Sequence, residues 1–561
     1  MSQVIRPYEL VHGHALSSRV QPFLGELLRT VRDGDRGLSV VVGAGTSMEV
    51  GLPSWPRLIA NVADSFLSPD RVAGLALLEE DNIQRRALMA IAMALEDSPG
   101  LDQIGIVREA LFQRGLPPSP GLLSQAIARL VTKYPKDVRL LTTNYDQLLE
   151  AALEEALGRR VQSFSLRGEF GRRGAARSSK HYAALPDTAA RRSVLHLHGC
   201  VPWDNRDAWL GPVVLTETDY LSHGTEVVKA IRGAMAGRTT IFIGLSMTDS
   251  NVLAALRQEN LRKRGSAQTF SVSVAPLDKE GISPQICAEI ATSTARTLHA
   301  DLGVKPILLK TYAQVGQLVS DLGLAVVEGG RYQIEGEDPA SLRYGNRFRY
   351  VLTAIYSALG ASATTGEWPP QVAEERSKQL HREFETRVSP LVDELQHKYR
   401  GEVREDERLG LFLWLRDIRD LDSDSFGLRL ALSSLYSHWD AWASERVEPI
   451  RQASPFAAVQ AVFHAQPTGT NIQRHPGASH LWRGSFAWPI FVEAVSTRKS
   501  LAGRSMDRVM IGALSINTTG YVRRDALSDG SREMSFLSAI NSAEQFELID
   551  AVDDVLQSVL E

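Results

Sequence analysis

The period of apolar positions along the 561-residue chain changes near residue 330 and again near 455. Over residues 1–330, short aliphatic runs alternate with amphipathic stretches. Four of the runs, LSVVVGAG (38–45), VRLLTTN (138–144), SVLHLHG (193–199) and TTIFIGLS (239–246), are rich in β-branched or aliphatic residues and end in small or polar ones. Continuous apolar runs of this length suit strands buried on both faces. Their alternation with helices predicts an α/β domain: a Rossmann-like parallel sheet with helices on both faces. One such helix is LLSQAIARLVTKY (122–134), where Leu123, Ile127, Leu130 and Val131 keep one apolar face.

After residue 330 the stretch VVEGGRYQIEGEDPAS breaks the periodicity and is expected to be a linker. Leu380, Phe384, Val388, Leu391 and Leu395 then recur at helical spacing, with Pro390 as a kink, and Leu428, Leu432, Leu435, Trp439 and Trp442 form a second stripe. Residues 331–454 are therefore expected to be a helical connector with apolar stripes suited to self-association. From 455 to 561, FAAVQAVFHA, GSFAWPIFVEAV and RVMIGALSINTT carry strand signals, and SAEQFELIDAVDDVLQSVL is an amphipathic closing helix. That pattern predicts a small α+β domain.

Composition narrows the class. With 62 Lys+Arg against 66 Asp+Glu, 43% apolar and 23% charged residues, the chain is neither disordered nor a nucleic-acid coat, and direct nucleic-acid binding is not expected. No run approaches the roughly 18–20 apolar residues of a membrane span, and MSQVIRPYELVHGHALSSRV lacks the apolar core of a signal peptide; a cytoplasmic location without membrane contact is expected. A basic segment, 166–192, gathers Arg167, Arg172, Arg173, Arg177, Lys180, Arg191 and Arg192 against Glu169 and Asp187. It is either a solvated mobile loop or a flap over an anionic ligand or a contact with a nucleotide or an acidic partner. The only cysteines, Cys200 and Cys287, cannot form a disulfide framework or a four-cysteine zinc site.

The strongest local signal is VVVGAGTSMEVGLPSW, where a buried strand enters a loop with Gly43, Ala44, Gly45, Thr46 and Ser47, followed by Gly51 and Pro53. Small residues there allow a close backbone approach to a pyrophosphate. As a dinucleotide fingerprint it is incomplete, because the sixth position is Met48 and the acidic residue that follows, Asp64, sits within apparent helix.

Three further motifs follow in order: TTNYD (142–146), HLHG (196–199) and GLSMTDSN (244–251). Each sits at the carboxyl end of a predicted strand, where open parallel sheets bind ligands. Together with GAGTS and GLPSW (51–55), this set resembles the sirtuin family, and more narrowly the bacterial sirtuin-like NADase domains of anti-phage defence, over about residues 20–325. The resemblance implies NAD+ as substrate. It implies that Asn144 holds the ribose side and the attacking water, and that His198 acts on the ribose hydroxyls or as general base, a role that suits a pKa near neutrality. It also implies NAD contacts from Gly43, Ala44, Gly45, Thr46, Ser47, Pro53, Trp55, Asp146, Gly244, Ser246, Asp249 and Asn251.

Plainer roles stand beside these. Asn144 and Asp146 could cap the helix beginning at Gln147, and Asp249 and Asn251 could cap theirs. His196 and His198 alternate along a strand, but no third metal ligand is evident; His196 either packs or supports the site. Cys200 reads as a packed thiol.

Departures from the family pattern set the subclass. Protein-deacylating sirtuins carry a four-cysteine zinc module and Asp-Phe-Arg after the Gly-x-Pro. Here two cysteines exclude the module, no zinc is expected, and Ser54, Trp55 and Pro56 replace the tripeptide. The expected reaction is NAD+ hydrolysis to nicotinamide and ADP-ribose, with the cyclic product open. Deacylation, ADP-ribosyl transfer and non-catalytic NAD or ADP-ribose binding are the alternatives. The closing module weakly resembles GAF-type sensor domains, with Trp482, Arg483 and Trp488 near a pocket or in its core, so a small molecule or a protein is expected as activating partner.

Overall fold

Seven short segments of a computed structural model of the chain form a parallel sheet; the structure describes residues 5–560 apart from 13–15, 17–19, 49, 51, 77–82, 99, 113–119, 170–177, 204–209, 264–267, 276, 278–280, 330–351, 362–368, 401–403, 405–406, 418–426, 435–446, 451–453, 455, 465–467, 472–481, 496–505, 522–533 and 541. The strands are β1 (Gly37–Val42), β2 (Val138–Thr142), β3 (Gln162–Ser165), β4 (Ser193–His196), β5 (Arg238–Ile243), β6 (Thr269–Val274) and β7 (Lys305–Leu309), in the order β3-β4-β2-β1-β5-β6-β7. The four apolar runs of the sequence became β1, β2, β4 and β5. Of the three that patterning missed, β3 and β6 interleave serine with apolar residues (QSFS and TFSVSV), and β7 is the brief run KPILL.

Alternation along each central strand divides the core. Val40, Val42, Leu140, Ile241 and Ile243 face one side, beneath helices α1 (Leu24–Asp33), α6 (Leu122–Lys133), α7 (Leu148–Leu157) and α11 (Tyr312–Glu328), all of which contribute to the same cluster. Val41, Leu141 and Phe242 face the other, beneath α8 (Glu217–Met235) and α9 (Ser250–Lys263). A period of two on strands covered on both faces accounts for the continuous apolar runs. Helix α10 (Pro284–Leu302) lies beside β7. Between β1 and β2 the chain makes the four-residue α2 (Gly45–Met48) and the helices α3 (Trp55–Phe66), α4 (Ile83–Asp97) and α5 (Gln103–Leu111), which build a separate core around Leu58, Val62, Ala90, Ile106 and Val107. From central β1 the chain moves to one side for β2 to β4, then returns to the other side for β5. The loops after β1 and β5 therefore flank the crevice where the topology reverses.

The carboxyl-terminal part departs from expectation. Helices α12 (Pro370–Arg387) and α13 (Ser389–Lys398) carry the buried Leu380, Phe384, Val388 and Leu395 stripe and break at Val388 to Pro390, as expected. They pack on a six-stranded antiparallel sheet formed by β8 (Leu409–Arg416), β9 (Gly427–Ser433), β10 (Val447–Pro449), β11 (Thr468–Asn471), β12 (Gly484–Val495) and β13 (Met506–Thr518), in the order β10-β9-β8-β13-β12-β11. Strands on both sides of residue 455 thus share one sheet. Leu428 and Leu432, read as part of a helical stripe, lie on β9. A spacing of four is even, so it fits a strand as well as a helix, and a bulged pairing that skips Ala431 sends the two leucines into different clusters. Leu435, Trp439 and Trp442 lie outside the described residues. FAAVQAVFHA, read as a strand, is helix α14 (Ala457–His464), whose Ala457, Ala458, Ala461 and Val462 pack on the sheet face opposite α12 and α13. The closing helix, α15 (Ser542–Leu560), is present, as are β12 and β13 where strands were expected.

The expected linker at 330–345 lies outside the described residues, as do positions 170–177 of the basic segment. Three cations of that segment have structural partners. Arg191 donates to the carbonyls of Val131, Tyr134 and Lys136, Arg192 donates to Thr188 O at 3.3 Å, and Arg167 pairs with Glu226 at 3.3 Å. Among the described residues, no helix is long and apolar enough to cross a membrane.

Candidate functional site

The loop leaving β1 is fastened to the end of β5. Gly43 N–H donates to Ile243 O at 3.0 Å and Gly45 N–H to Gly244 O at 3.1 Å. A Cβ at Gly43 would stand 2.7 Å from Gly244 O, and one at Gly45 would stand 2.9 Å from Gly244 Cα; Gly244 itself sits at φ +67°. The glycines of the two motifs are thus required by backbone-to-backbone packing between adjacent strand ends. Thr46, Ser47 and Met48 donate their N–H groups within the loop, to Gly43 O, Ala44 O and Ala44 O.

Asn144 enters from the end of β2 and is held on every side. Its N–H donates to Thr142 Oγ1 at 3.0 Å. Its side-chain Nδ2 lies within hydrogen-bonding reach of Gly43 O (3.1 Å), Thr46 Oγ1 (3.0 Å) and Ser47 Oγ (2.7 Å). Because Thr46 donates its own hydroxyl to Gly43 O and Ser47 donates to Asp146 Oδ2 at 2.6 Å, both hydroxyls are acceptors toward Asn144, which fixes the orientation of the amide. With Nδ2 committed to the loop, Oδ1 is the atom left to meet a ligand. Asp146 Oδ1 also accepts from Leu148 N–H at the start of α7, the capping role foreseen for it. Burial raises the Asp146 pKa, with the Ser47 hydroxyl bond opposing.

Behind Asn144 lies a fully buried polar chain. His196 Nδ1 bonds the Asn144 carbonyl at 2.9 Å, and its Nε2 bonds Glu150 Oε1 at 2.7 Å. Cys200 is buried beside them, its pKa raised by burial, as expected for a packed thiol.

His198 follows the end of β4. Its Nε2 lies 3.3 Å from Asp249 Oδ2 without an aligned hydrogen bond, and its ring meets Tyr220 edge-on, with centroids 5.5 Å apart. Burial pulls its pKa below the ordinary 6.5, with Asp249 opposing. Asp249 is fixed in turn: Oδ1 accepts from Asn251 N–H and Val252 N–H, each at 2.9 Å, and Oδ2 accepts the Tyr220 hydroxyl at 3.0 Å. Trp55, at the start of α3, packs against Tyr220 with centroids 5.9 Å apart.

These groups line a cavity of about 730 Å³ running across the carboxyl ends of β2, β1, β5 and β6 toward Tyr312. Of the residues proposed from sequence, Ala44, Gly45, Ser47, Pro53, Trp55, Asn144, Asp146, His198, Gly244, Ser246 and Asp249 line it. Gly43, Thr46 and Asn251 stand behind its wall. Tyr220 was missed, because a tyrosine in the first turns of a capped helix carries no sequence signal of its own. Ser271 and Ser273, on the far lining, were missed because β6 was not recognised, and Thr294 because it is one polar residue on helix α10. His196 and His198 do not converge on a shared ligand: one faces Glu150 and the other Asp249. Among the described residues no cluster of three His, Cys, Asp or Glu side chains is placed to hold a metal ion.

Residues 138–307, from β2 to the middle of β7, match the sequence model of the SIR2-like domain. A relative is the NAD(+) hydrolase ThsA of Bacillus cereus (strain MSX-D12), 24% identical over 239 residues, which are 42% of this chain and 41% of that protein. The match thus spans about two fifths of the relative. Similar solved structures include a Sir2 homologue in complex with NAD, 18% identical, covering 54% of this chain and 93% of that one at a TM-score of 0.26. A phenylalanine-to-alanine variant of a Sir2 homologue with ADP-ribose is 16% identical, covering 55% and 99% at a TM-score of 0.25.

Proposed function

We propose that the cavity binds NAD+ and hydrolyses the bond between nicotinamide and ribose. The observation that carries this reading is the convergence of Asn144, from β2, and His198, from β4, on one cavity, with the Asn144 amide nitrogen already committed and Oδ1 left over. An amide oxygen so fixed orients a water or a ribose hydroxyl without reorganising during the reaction. A buried, neutral imidazole beside it accepts a proton. Water attacks ribose C1′, the C1′–N bond breaks with its electron pair leaving on nicotinamide, and the water proton passes to His198, giving nicotinamide and ADP-ribose. The transition state is oxocarbenium-like, as in glycoside hydrolysis. The NAD(+) hydrolase relative supports the same chemistry.

On this reading the carboxyl-terminal unit, with α12 to α15 around its antiparallel sheet, restrains or triggers the enzyme in response to a small molecule or a protein. The whole is then a self-associating, cytoplasmic, NAD-depleting effector of anti-phage defence. The test is chromatographic detection of nicotinamide from purified chain and NAD+, with and without candidate activators. Release that Asn144→Ala and His198→Ala abolish in folded protein supports the proposal. Saturable NAD+ binding with no release under any activating condition replaces it with a regulatory binding role.

A further inference from the structure

The polar chain behind Asn144 is absorbed neither by the cavity nor by the reaction as written. His196 is fully buried, and both its ring nitrogens face acceptors: the Asn144 carbonyl at 2.9 Å and Glu150 Oε1 at 2.7 Å. A carbonyl only accepts, so Nδ1 carries a proton. Gln147 Nε2 donates to Ser163 Oγ at 3.3 Å, and Ser163 donates to Glu150 Oε1 at 2.7 Å. An ionised Glu150 has acceptor oxygens only, so toward it Nε2 also carries a proton.

We propose that His196 is a buried imidazolium, paired with the Glu150 carboxylate, and that it is the positioning residue that fixes the Asn144 backbone for the hydrolysis inferred above, on which this proposal rests. Asn144 is then gripped at both ends, by the β1 loop at its amide and by His196 at its carbonyl. The groups around the ring are Glu150 from α7, Cys200 from the loop after β4 and Asp146 from the loop after β2. Burial opposes the charge, and the Glu150 carboxylate against the ring raises the His196 pKa above 6.5; Cys200, kept a neutral thiol by burial, supplies no charge. A lone buried histidine would be neutral; the carboxylate at 2.7 Å is what makes it a cation. When His196 loses its proton only one ring N–H remains; the carboxylate keeps it at Nε2, so the bare Nδ1 faces the Asn144 carbonyl and Asn144 is no longer held from behind.

The experiment uses the full-length chain with ¹⁵N-labelled histidine, in wild type, His196→Gln and Glu150→Gln, and reads imidazole signals, ADP-ribose affinity and the pH profile of nicotinamide release. At pH 7.5 the wild type is expected to show one imidazole, absent in His196→Gln, with both nitrogens protonated. Glu150→Gln keeps an acceptor but removes the charge. Its kcat is expected to fall by about 10- to 100-fold at pH 8, to recover as the pH is lowered, and to leave KM within about threefold. Recovery on acidification distinguishes positioning by charge from loss of packing. A singly protonated His196 at pH 7.5 overturns the proposal, as does a Glu150→Gln profile that overlays the wild type. If the wild-type chain releases no nicotinamide, the hydrolase reading falls, and the imidazole spectrum still decides whether His196 is the buried cation proposed.

Discussion

The side-chain amide of Asn144 donates to the hydroxyl of Ser47 across 2.7 Å, joining the end of β2 to the loop after β1, and Ser47 in turn donates its own hydrogen bond to Asp146. One hydroxyl thus ties together two motifs that lie 97 residues apart.

Removing that hydroxyl is expected to loosen the site. Ser47→Ala leaves a buried Asp146 oxygen without its donor and frees the Asn144 amide. The loss is expected to be about 1–3 kcal/mol of stability by denaturant melting, with nicotinamide release down by about 10- to 100-fold. Unchanged turnover would show that the bond does not position Asn144.

Gly43→Ala tests the backbone packing between the β1 and β5 loops. The added methyl would stand 2.7 Å from Gly244 O and from Leu245 Cγ. Thermal unfolding is expected to show a loss of about 1–3 kcal/mol, because the carbonyl it meets is held by its own bond to Gly45 N–H.

Tyr220→Phe keeps the ring against His198 and removes the hydroxyl that Asp249 accepts at 3.0 Å. With that donor gone, Asp249 turns its charge more fully on His198. The acid limb of the kcat profile is expected to move to higher pH while the melting temperature stays close to wild type. A limb that does not move would separate Asp249 from His198.

The two histidines are expected to shift stability in opposite directions. The pKa of His198 is lowered by burial, so its contribution is present above about pH 6.5 and is lost as pH falls through its folded value. That of His196 is raised, so its contribution is present below about pH 6.5 and is lost as pH rises through its folded value. Melting temperatures of wild type, His198→Asn and His196→Gln across pH 5 to 9 check both slopes; parallel curves would contradict these assignments.

In the carboxyl-terminal sheet, Gly512 on β13 lies so close to β8 that a Cβ would stand 1.9 Å from Trp414 O. Gly512→Ala is expected to cost at least 1–3 kcal/mol, read as a low-temperature unfolding transition of the carboxyl-terminal unit.

Legibility followed how local each signal was. β1, β2, β4 and β5 were visible because burial on both faces makes a strand apolar throughout. β3 and β6 were not, because serines between their apolar residues look like loop, and β7 was not, because its apolar run, Pro306 to Leu309, is brief. At Leu428 and Leu432 the failure was arithmetical, since a spacing of four satisfies both periods. Of the site, the four motifs were visible because glycines, a histidine pair and Asn-Tyr-Asp stand at strand ends, a position the chain itself marks.

The sequence by itself determined which segments end at the crevice and which side chains they bring there: Asn144, His198, the β1 loop and Asp249. Tertiary structure alone decided what holds them. It set Glu150 against His196 from 46 residues away, Tyr220 against Asp249, and Gly45 against Gly244. The physical reason is that hydropathy fixes which face of an element is buried, whereas a hydrogen bond between two elements depends on their separation and rotation to within a few tenths of an ångström. That geometry is set only when the whole core packs.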